Sequence, residues 1–370
     1  MRRTAARLLV PLVALSLVAS ACGGGGDKRP SDAIKELRES EAKDVKPPER
    51  VDPKNLALPG FALVTNSPTW EKLVDAPNGR GAVILFVQPG SPADNKGIAR
   101  GDMLTEVDGE RVANQEHALA LLYANKGEKR NLKITGRNGK VRELAVRSEI
   151  PKERPKRFLD EMLKGNPNDP VLRYLRAGAV GTTVQSSIDD LKAALDVEPE
   201  FVEALNKRAN LLFSARLGTK DKKRQEELIT QALAAWTNAL DIDPRNAEAL
   251  TQQANAETAI GKGSAAKADA LKAIRVDPTS PAANNALARA NLVLKKPQDA
   301  AGPARAALEL NPYTNLTYYR TLAEVFKDLK RKTDCSATLN AIVPWLEGTK
   351  VKALKTEAEQ IQKEARENCG

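Results

Sequence analysis

The sequence predicts two folded parts, a small β-rich α+β domain followed by an all-α solenoid of repeated helix pairs. Residues 81–109 alternate strand-like apolar runs with glycine and proline turns, which is typical of a small sheet domain. Beyond residue 166 a short motif returns with a period of 34 residues, which indicates stacked helical repeats. Aromatic residues make up only 4% of the 370 residues, which suits closely packed helices.

Residues 1–21 have the three parts of a secretory signal: two arginines, an apolar core and small residues at the end. The apolar core is too short for a stable membrane span. The stretch Val18 to Cys22 resembles the bacterial lipobox, which implies a lipid anchor at Cys22. An ordinary signal peptide with an incidental cysteine is the alternative. We therefore expect an exported protein on the extracytoplasmic or periplasmic face of a cell-envelope membrane.

Residues 22–53 are predicted to form a flexible linker, because four glycines precede a charged, proline-bearing stretch with few large apolar groups. The formal charge of the whole chain is +10, and +7 without the three arginines of the signal. Basic and acidic side chains are interleaved, so we expect a solvated helical surface and no nucleic-acid partner.

Histidine chemistry is restricted, because His117 is the only histidine. An HExxH zinc site needs two histidines, and a histidine-activated serine or cysteine needs one beside the nucleophile. We therefore expect no metal, no cofactor and no small-molecule substrate.

The predicted sheet domain spans residues 54–150 and contains an ordered string of strands and turns. A strand over 81–87 precedes a proline–glycine turn over 89–93, and a turn at 101–102 precedes a strand ending at Asp108-Gly109. Glycines permit positive φ, prolines fix φ at turn entries, and Asp-Gly suits a two-residue hairpin. The string resembles the PDZ domain of bacterial Deg/HtrA proteases and related envelope proteins.

The resemblance implies a peptide site, in which a partner's C-terminus adds as a strand beside a helix and backbone amides hold its carboxylate. The implied loop and edge strand carry Leu58, Pro59, Gly60, Phe61, Ala62 and Leu63, and the implied helix carries Glu116, Ala120 and Tyr123. Pro59 lacks an N–H, and a helical turn at 70–73 could cover the groove. A closed groove is therefore the alternative.

Residues 151–166 are basic and contain proline, so we predict a second linker there. After it, the sequence ALDIDP at 239–244 returns as AIRVDP at 273–278 and as ALELNP at 307–312. An earlier copy at 194–199 lies 45 residues before its successor, so one repeat carries an insertion of 11 residues near 217–227. The basic residues of the insertion either lie in a solvated loop or contact an acidic partner. They are Lys220, Lys222, Lys223 and Arg224.

The period resembles that of the tetratricopeptide repeat (TPR), in which two helices cross closely at small residues. The resemblance implies five helix pairs over 167–348 and a capping helix over 349–370. It also implies a concave peptide-binding face, which carries Asn206, Asn210, Asn255, Asn285, Arg289 and Arg320. Asparagine is a poor helix former, and its amide can both donate to and accept from a ligand's backbone. A peptide-binding ladder and a merely polar groove wall both fit this pattern.

Cys335 and Cys369 form a disulfide or remain two free thiols, and export permits either.

Taken together, these features predict a membrane-anchored adaptor with protein or peptide partners. A fixed structural component of an envelope, secretion or pilus complex is the alternative. A serine–lysine peptidase is least supported, because the repeats occupy the chain that its catalytic core would need. We therefore expect a binding protein and not an enzyme.

Overall fold

The computed structural model describes residues 60–123, 129–147, 155–179, 181–311, 315–347 and 352–369. The predicted signal, Cys22 and the linker over 22–53 lie outside these residues. The described residues divide into two compact units, 60–325 and 326–369, and the boundary falls inside one helix.

The first part of the chain is a six-stranded antiparallel sheet, called here the sheet domain. Its strands lie in the order β1-β2-β3-β5-β6, and β4 pairs with β3. Within the described residues β1 pairs only with β2, so β1 is an edge strand. The strands are β1 (Phe61–Thr65), β2 (Ala82–Val87), β3 (Met103–Val107), β4 (Glu110–Arg111), β5 (Lys129–Thr135) and β6 (Val141–Arg147).

Two helices interrupt the sheet, α1 (Pro68–Val74) between β1 and β2, and α2 (Gln115–Tyr123) between β4 and β5. Alternate residues of a strand point to opposite faces of a sheet. Phe61 and Leu63 of β1 therefore share one face, where they pack in a core with residues of α2. Ala62 and Val64 point to the other face, where they pack against two different clusters.

The rest of the unit is helical, and helices α4 to α11 form four antiparallel pairs, called here the helical array. This arrangement confirms the predicted fold class, a β-rich domain followed by an all-α stack. The helices are α3 (Pro155–Gly165), α4 (Pro170–Arg176), α5 (Val184–Val197), α6 (Val202–Ala215), α7 (Lys222–Ile242), α8 (Ala247–Ala259), α9 (Gly263–Val276), α10 (Pro281–Val293), α11 (Pro297–Leu310) and α12 (Leu316–Asp328). The second unit contains α13 (Lys332–Asn340), α14 (Val343–Glu347) and α15 (Lys352–Cys369).

Alanines that recur with the 34-residue period lie at the contacts of the helix pairs. Each of Ala232, Ala254, Ala266, Ala288 and Ala300 has 0% of its surface exposed. A larger side chain at any of them would push two helices apart, because protein interiors are close-packed.

The insertion is not the solvated loop that the sequence favoured. A short turn, Arg216–Gly218, is followed at Lys222 by α7, which has 21 residues where α9 has 14. The Asp221 side chain caps α7 by accepting a hydrogen bond from the Lys223 N–H at 3.0 Å. Residues 222–227 therefore extend a helix, and their basic side chains lie on its exposed first turns.

The predicted linker over 151–166 was also wrong in part, because residues 155–165 form α3. Leu159 and Leu163 of α3 are buried against Phe86 of β2. This stretch is therefore a packed connection between the sheet domain and the helical array.

A left-handed position ends the first helix of two repeats, and different residues occupy it. Gly261 has φ +77° and Lys295, 34 residues later, has φ +58°. Only glycine adopts this region without steric cost. Lys295→Gly should therefore raise the free energy of unfolding by about 0.5–1 kcal/mol, measured by urea denaturation. Gly261→Ala is the reverse control and should lower it, and a loss of stability in Lys295→Gly would contradict the prediction.

Candidate functional site

The start of β1 is held against the turn that follows β2. Gly60 has φ +91°, and a Cβ there would lie 2.2 Å from the Ser91 Cβ. The Gly60 carbonyl accepts hydrogen bonds from the Gln88 N–H at 2.7 Å and from the Ser91 hydroxyl at 3.4 Å. Both the conformation and the close approach require glycine at this position.

The other end of β1 is tied to the start of α2. The Thr65 Oγ1 accepts a hydrogen bond from the Gln115 N–H at 3.0 Å. Because Phe61 and Leu63 also pack with Ala118 and Leu122, α2 lies on the face of the sheet that these two side chains share, next to an edge strand. A free strand edge flanked by a helix is the geometry that strand addition needs.

The predicted peptide-site residues are described only in part. Gly60, Phe61, Ala62 and Leu63 are brought together at β1. Leu58 and Pro59 lie outside the described residues. Glu116, Ala120 and Tyr123 lie on α2, but their side chains belong to the part of the chain that the structure does not describe.

Helix α1 does not cover the groove, contrary to the alternative that the sequence left open. Its Trp70 is fully buried on the opposite side of the sheet, against the helical array. The Trp70 ring lies 5.5 Å from the Tyr174 ring of α4 and 5.0 Å from the Phe201 ring before α6. We call Trp70, Tyr174 and Phe201 the aromatic cluster.

Polar contacts surround the aromatic cluster and join the same two parts of the chain. The Ser67 hydroxyl donates to the Glu203 carboxylate at 2.6 Å, and the Lys72 ammonium donates to Glu198 at 2.9 Å. Arg100 forms a second ion pair at 2.5 Å with Asp169, which also caps α4. Burial raises the pKa of the Glu203 carboxyl, which the Ser67 hydrogen bond partly offsets. The sheet domain and the first repeats are thus one packed body.

Lys207 of α6 lies at the edge of this junction. Its ammonium is 4.2 Å from the centre of the Tyr174 ring and donates to the Tyr174 carbonyl at 3.2 Å. Burial lowers the pKa of Lys207 to about 8. A cation over an aromatic ring stabilises this contact despite the loss of water.

The predicted concave face is connected by side-chain contacts between neighbouring repeats. The Asn210 amide donates to Glu248 at 2.9 Å, and the Asn255 amide oxygen accepts from Arg289 at 3.4 Å. Burial lowers the pKa of the Arg289 guanidinium, and the nearby Glu324 partly offsets this. Arg320 is half-buried on α12.

Asn206 and Asn285 occupy equivalent positions of their helices and are both buried, with 5% exposed. Within the described residues neither amide oxygen has a hydrogen-bond partner. Both oxygens are themselves buried, so in this structure they are not exposed to a ligand on the concave face.

Sequence reasoning missed Arg216, which lies in the turn before the insertion and therefore outside the repeat pattern. Its guanidinium lies 3.5 Å from the centre of the Phe213 ring. Burial lowers the pKa of Arg216, and the like charge of Arg289 lowers it further. The array therefore brings two cations close to each other near Asn255.

A buried carboxylate pair lies between α8 and α9. Burial and the neighbouring Asp269 together raise the pKa of Glu257 to about 7, although Lys262 and Lys272 partly offset both effects. The ordinary pKa of glutamate is lower, so the folded state binds an extra proton and stability falls as the pH rises from about 5 through 7. Glu257→Gln should flatten this fall in chemical denaturation at pH 5, 6, 7 and 8. An unchanged pH dependence in the variant would contradict the assignment.

Comparison with known families places a PDZ domain at residues 83–135. The comparison with curated proteins found no match. The family match shows that the chain contains a PDZ domain. The stacked helix pairs described above make the array TPR-like.

Solved TPR structures are similar to parts of the chain. A thermophilic TPR protein of Thermus thermophilus is 21% identical, with 46% of this chain and 88% of that chain covered and a TM-score of 0.39. A TPR protein of Parabacteroides merdae is 14% identical, with 57% and 76% covered and a TM-score of 0.43. PilW, a type IV pilus biogenesis factor, is 17% identical, with 54% and 87% covered and a TM-score of 0.42.

Two features are absent from the described residues. No helix among them is long and apolar enough to cross a membrane. No three metal-binding side chains cluster within them.

Proposed function

We propose that this chain, a PDZ domain followed by a TPR-like array, is an adaptor of the cell envelope. One partner adds a C-terminal peptide or strand to the edge of β1, and a second partner binds the array. The geometry of β1 supports the proposal, because its edge lies beside α2 and the described residues place no strand on it. Two modest sites on one chain raise the effective concentration of each partner for the other.

The membrane part of the proposal rests on the sequence. The signal and the lipobox resemblance support a lipid anchor at Cys22. The linker over residues 22–53 would allow the folded part to extend away from the membrane. Mass spectrometry of the mature N-terminus is the direct test, with a diacylated or triacylated Cys22 expected. A mature chain that begins after Cys22, without lipid, would contradict the anchor.

We further propose that the chain binds its partners without acting on them chemically. A single histidine and the use of residues 167–348 for repeats support this. Serine-dependent cleavage of unfolded proteins by the mature chain would overturn it in favour of a serine–lysine peptidase.

The decisive experiment is crosslinking and pull-down from envelope membranes with Gly60→Val and Ala120→Trp variants of the mature chain. A side chain at Gly60 meets Ser91 and disturbs the loop that begins β1. Gly139→Val is the matched control, because Gly139 also has positive φ but no described atom lies within 4 Å of its Cβ position. Circular dichroism melts check that each variant folds.

The expected result is a set of partners lost from the Gly60 and Ala120 variants and kept by the Gly139 variant. An unchanged set would contradict recognition at β1 and leave the array as the docking surface.

The packing of the sheet domain on the array favours a second candidate, a fixed component in which the PDZ domain only spaces the array. Stable co-purification with one partner at fixed stoichiometry, unaffected by the β1 variants, would support this candidate.

A further inference from the structure

A strand added to the free edge of β1 would present its side chains alternately to the two faces of the sheet. Ligand residues opposite Phe61 and Leu63 would point toward α2. The ligand residue opposite Ala62 would point, like Ala62, to the face that the helices cover.

Helix α3 covers that face at the Ala62 end of β1. Ala62 pairs in register with Phe86 of β2, and Phe86 packs against Leu159 and Leu163 of α3. Phe158 of α3 and Ala62 both pack against this cluster and both remain partly exposed. An added strand would therefore lie beside α3 as well as beside α2.

The apolar surface of α3 is wider than the part that the described residues cover. Asp160 contacts Arg176 of α4 at 3.1 Å, so that side of α3 faces α4. Phe158 and Met162 are four residues apart and share the opposite side of the helix. Met162 is 36% exposed, although it is a large apolar residue. Phe158 and Met162 thus form an apolar strip on α3, and its Phe158 end packs against the same cluster as Ala62.

We propose that α3 is a third wall of the peptide groove and that Phe158 and Met162 select an apolar side chain on the ligand. The selected residue is the one opposite Ala62, one position from the residues that face α2. The occupant is the extended C-terminal segment of a partner protein. The shared packing of the strip and Ala62 of β1 identifies this occupant, and the inference rests on the proposed strand addition.

The test is selection of random peptides with free C-termini by the full mature chain and by a Met162→Lys variant. The wild-type chain should enrich peptides with an apolar residue at one position, flanked by the residues that bind along α2. Met162→Lys should lose that preference and bind the best wild-type peptide about tenfold more weakly. Glu161→Gln is the control, because it makes the same change in net charge on the exposed side of α3 and should alter neither result.

Three results would overturn the inference. If peptides are enriched but the preference survives in Met162→Lys, α3 is not a wall of the groove, while strand addition stands. If no peptide is enriched by the wild-type chain, strand addition itself fails and the inference fails with it. If light scattering shows a dimer of the chain that Met162→Lys dissociates, the strip is a self-association surface.

Discussion

Replacing Trp70 with alanine should lower the free energy of unfolding by about 3–5 kcal/mol and release the sheet domain from the helical array. The Trp70 side chain is fully buried, and its ring contacts Tyr174 and Phe201 in edge-to-face geometry. Alanine would leave a large cavity between two parts of the chain, and neither part can fill it without moving.

Hydrogen exchange read by mass spectrometry would locate this effect. In the wild-type chain, the slowest amides of β2 and α4 should open together, because the same cluster holds both elements. In Trp70→Ala the amides of β2 should exchange earlier than those of α8 to α11.

Trp236→Ala is the matched control, since Trp236 is equally buried but lies within the array, against Phe213. It should destabilise the chain without separating the sheet domain. Lys72→Ala removes only exposed ion pairs beside the cluster and should leave the exchange of β2 unchanged. Unchanged exchange in β2 of Trp70→Ala would contradict the role of the cluster.

Loss of the disulfide should be the second large effect. Cys335 of α13 and Cys369 at the end of α15 are bonded, with Cα atoms 5.6 Å apart and a separation of 34 positions in sequence. A link of this length restricts the unfolded chain and stabilises the fold by about 3–4 kcal/mol. Reduction should therefore destabilise the unit formed by residues 326–369 and speed exchange in α15.

The Cys335→Ser, Cys369→Ser double variant distinguishes the effect of losing the disulfide from any other effect of the reductant. It should match the reduced wild-type chain and should not respond to reductant. Alkylation that finds two free thiols in the mature protein before reduction would contradict the bond.

The contact between α1 and the helical array affects how the proposed adaptor would hold its two partners. The back of β1 packs on the array and on α3, while its edge lies beside α2. The two proposed sites, the β1 edge and the array, therefore belong to parts of the chain that pack against each other. A partner pair bridged by this chain would be held at a defined separation, in contrast to partners on two domains joined by a flexible linker.

The sequence determined the elements whose physical cause is local. The 34-residue period placed the helices, and Ala254 and Ala288 are buried where two helices must approach closely. Gly60 adopts the left-handed backbone that glycine tolerates best. Turn chemistry and hydrophobic period act over a few residues, so they can be read without knowing the fold.

The helical start of the insertion was also locally encoded, although its basic composition suggested a loop. Asp221 is a preferred N-cap residue, and it precedes the helical run that begins at Lys222. The charge pattern suggested a loop, whereas the Asp221 cap is the local signal that agrees with the observed helix.

The tertiary structure alone decided which apolar surfaces meet. The sequence left open whether the helical turn that carries Trp70 covers the groove. Phe158 and Leu159 lay in a stretch that was predicted to be a linker. Tyr174 and Phe201 lie more than one hundred residues after Trp70 in the sequence. Hydrophobic attraction has no direction and depends on buried area, so a local pattern shows that a side chain will be buried but not against what. The junction between the sheet domain and the array, and the apolar strip on α3 beside β1, follow from that choice of partners.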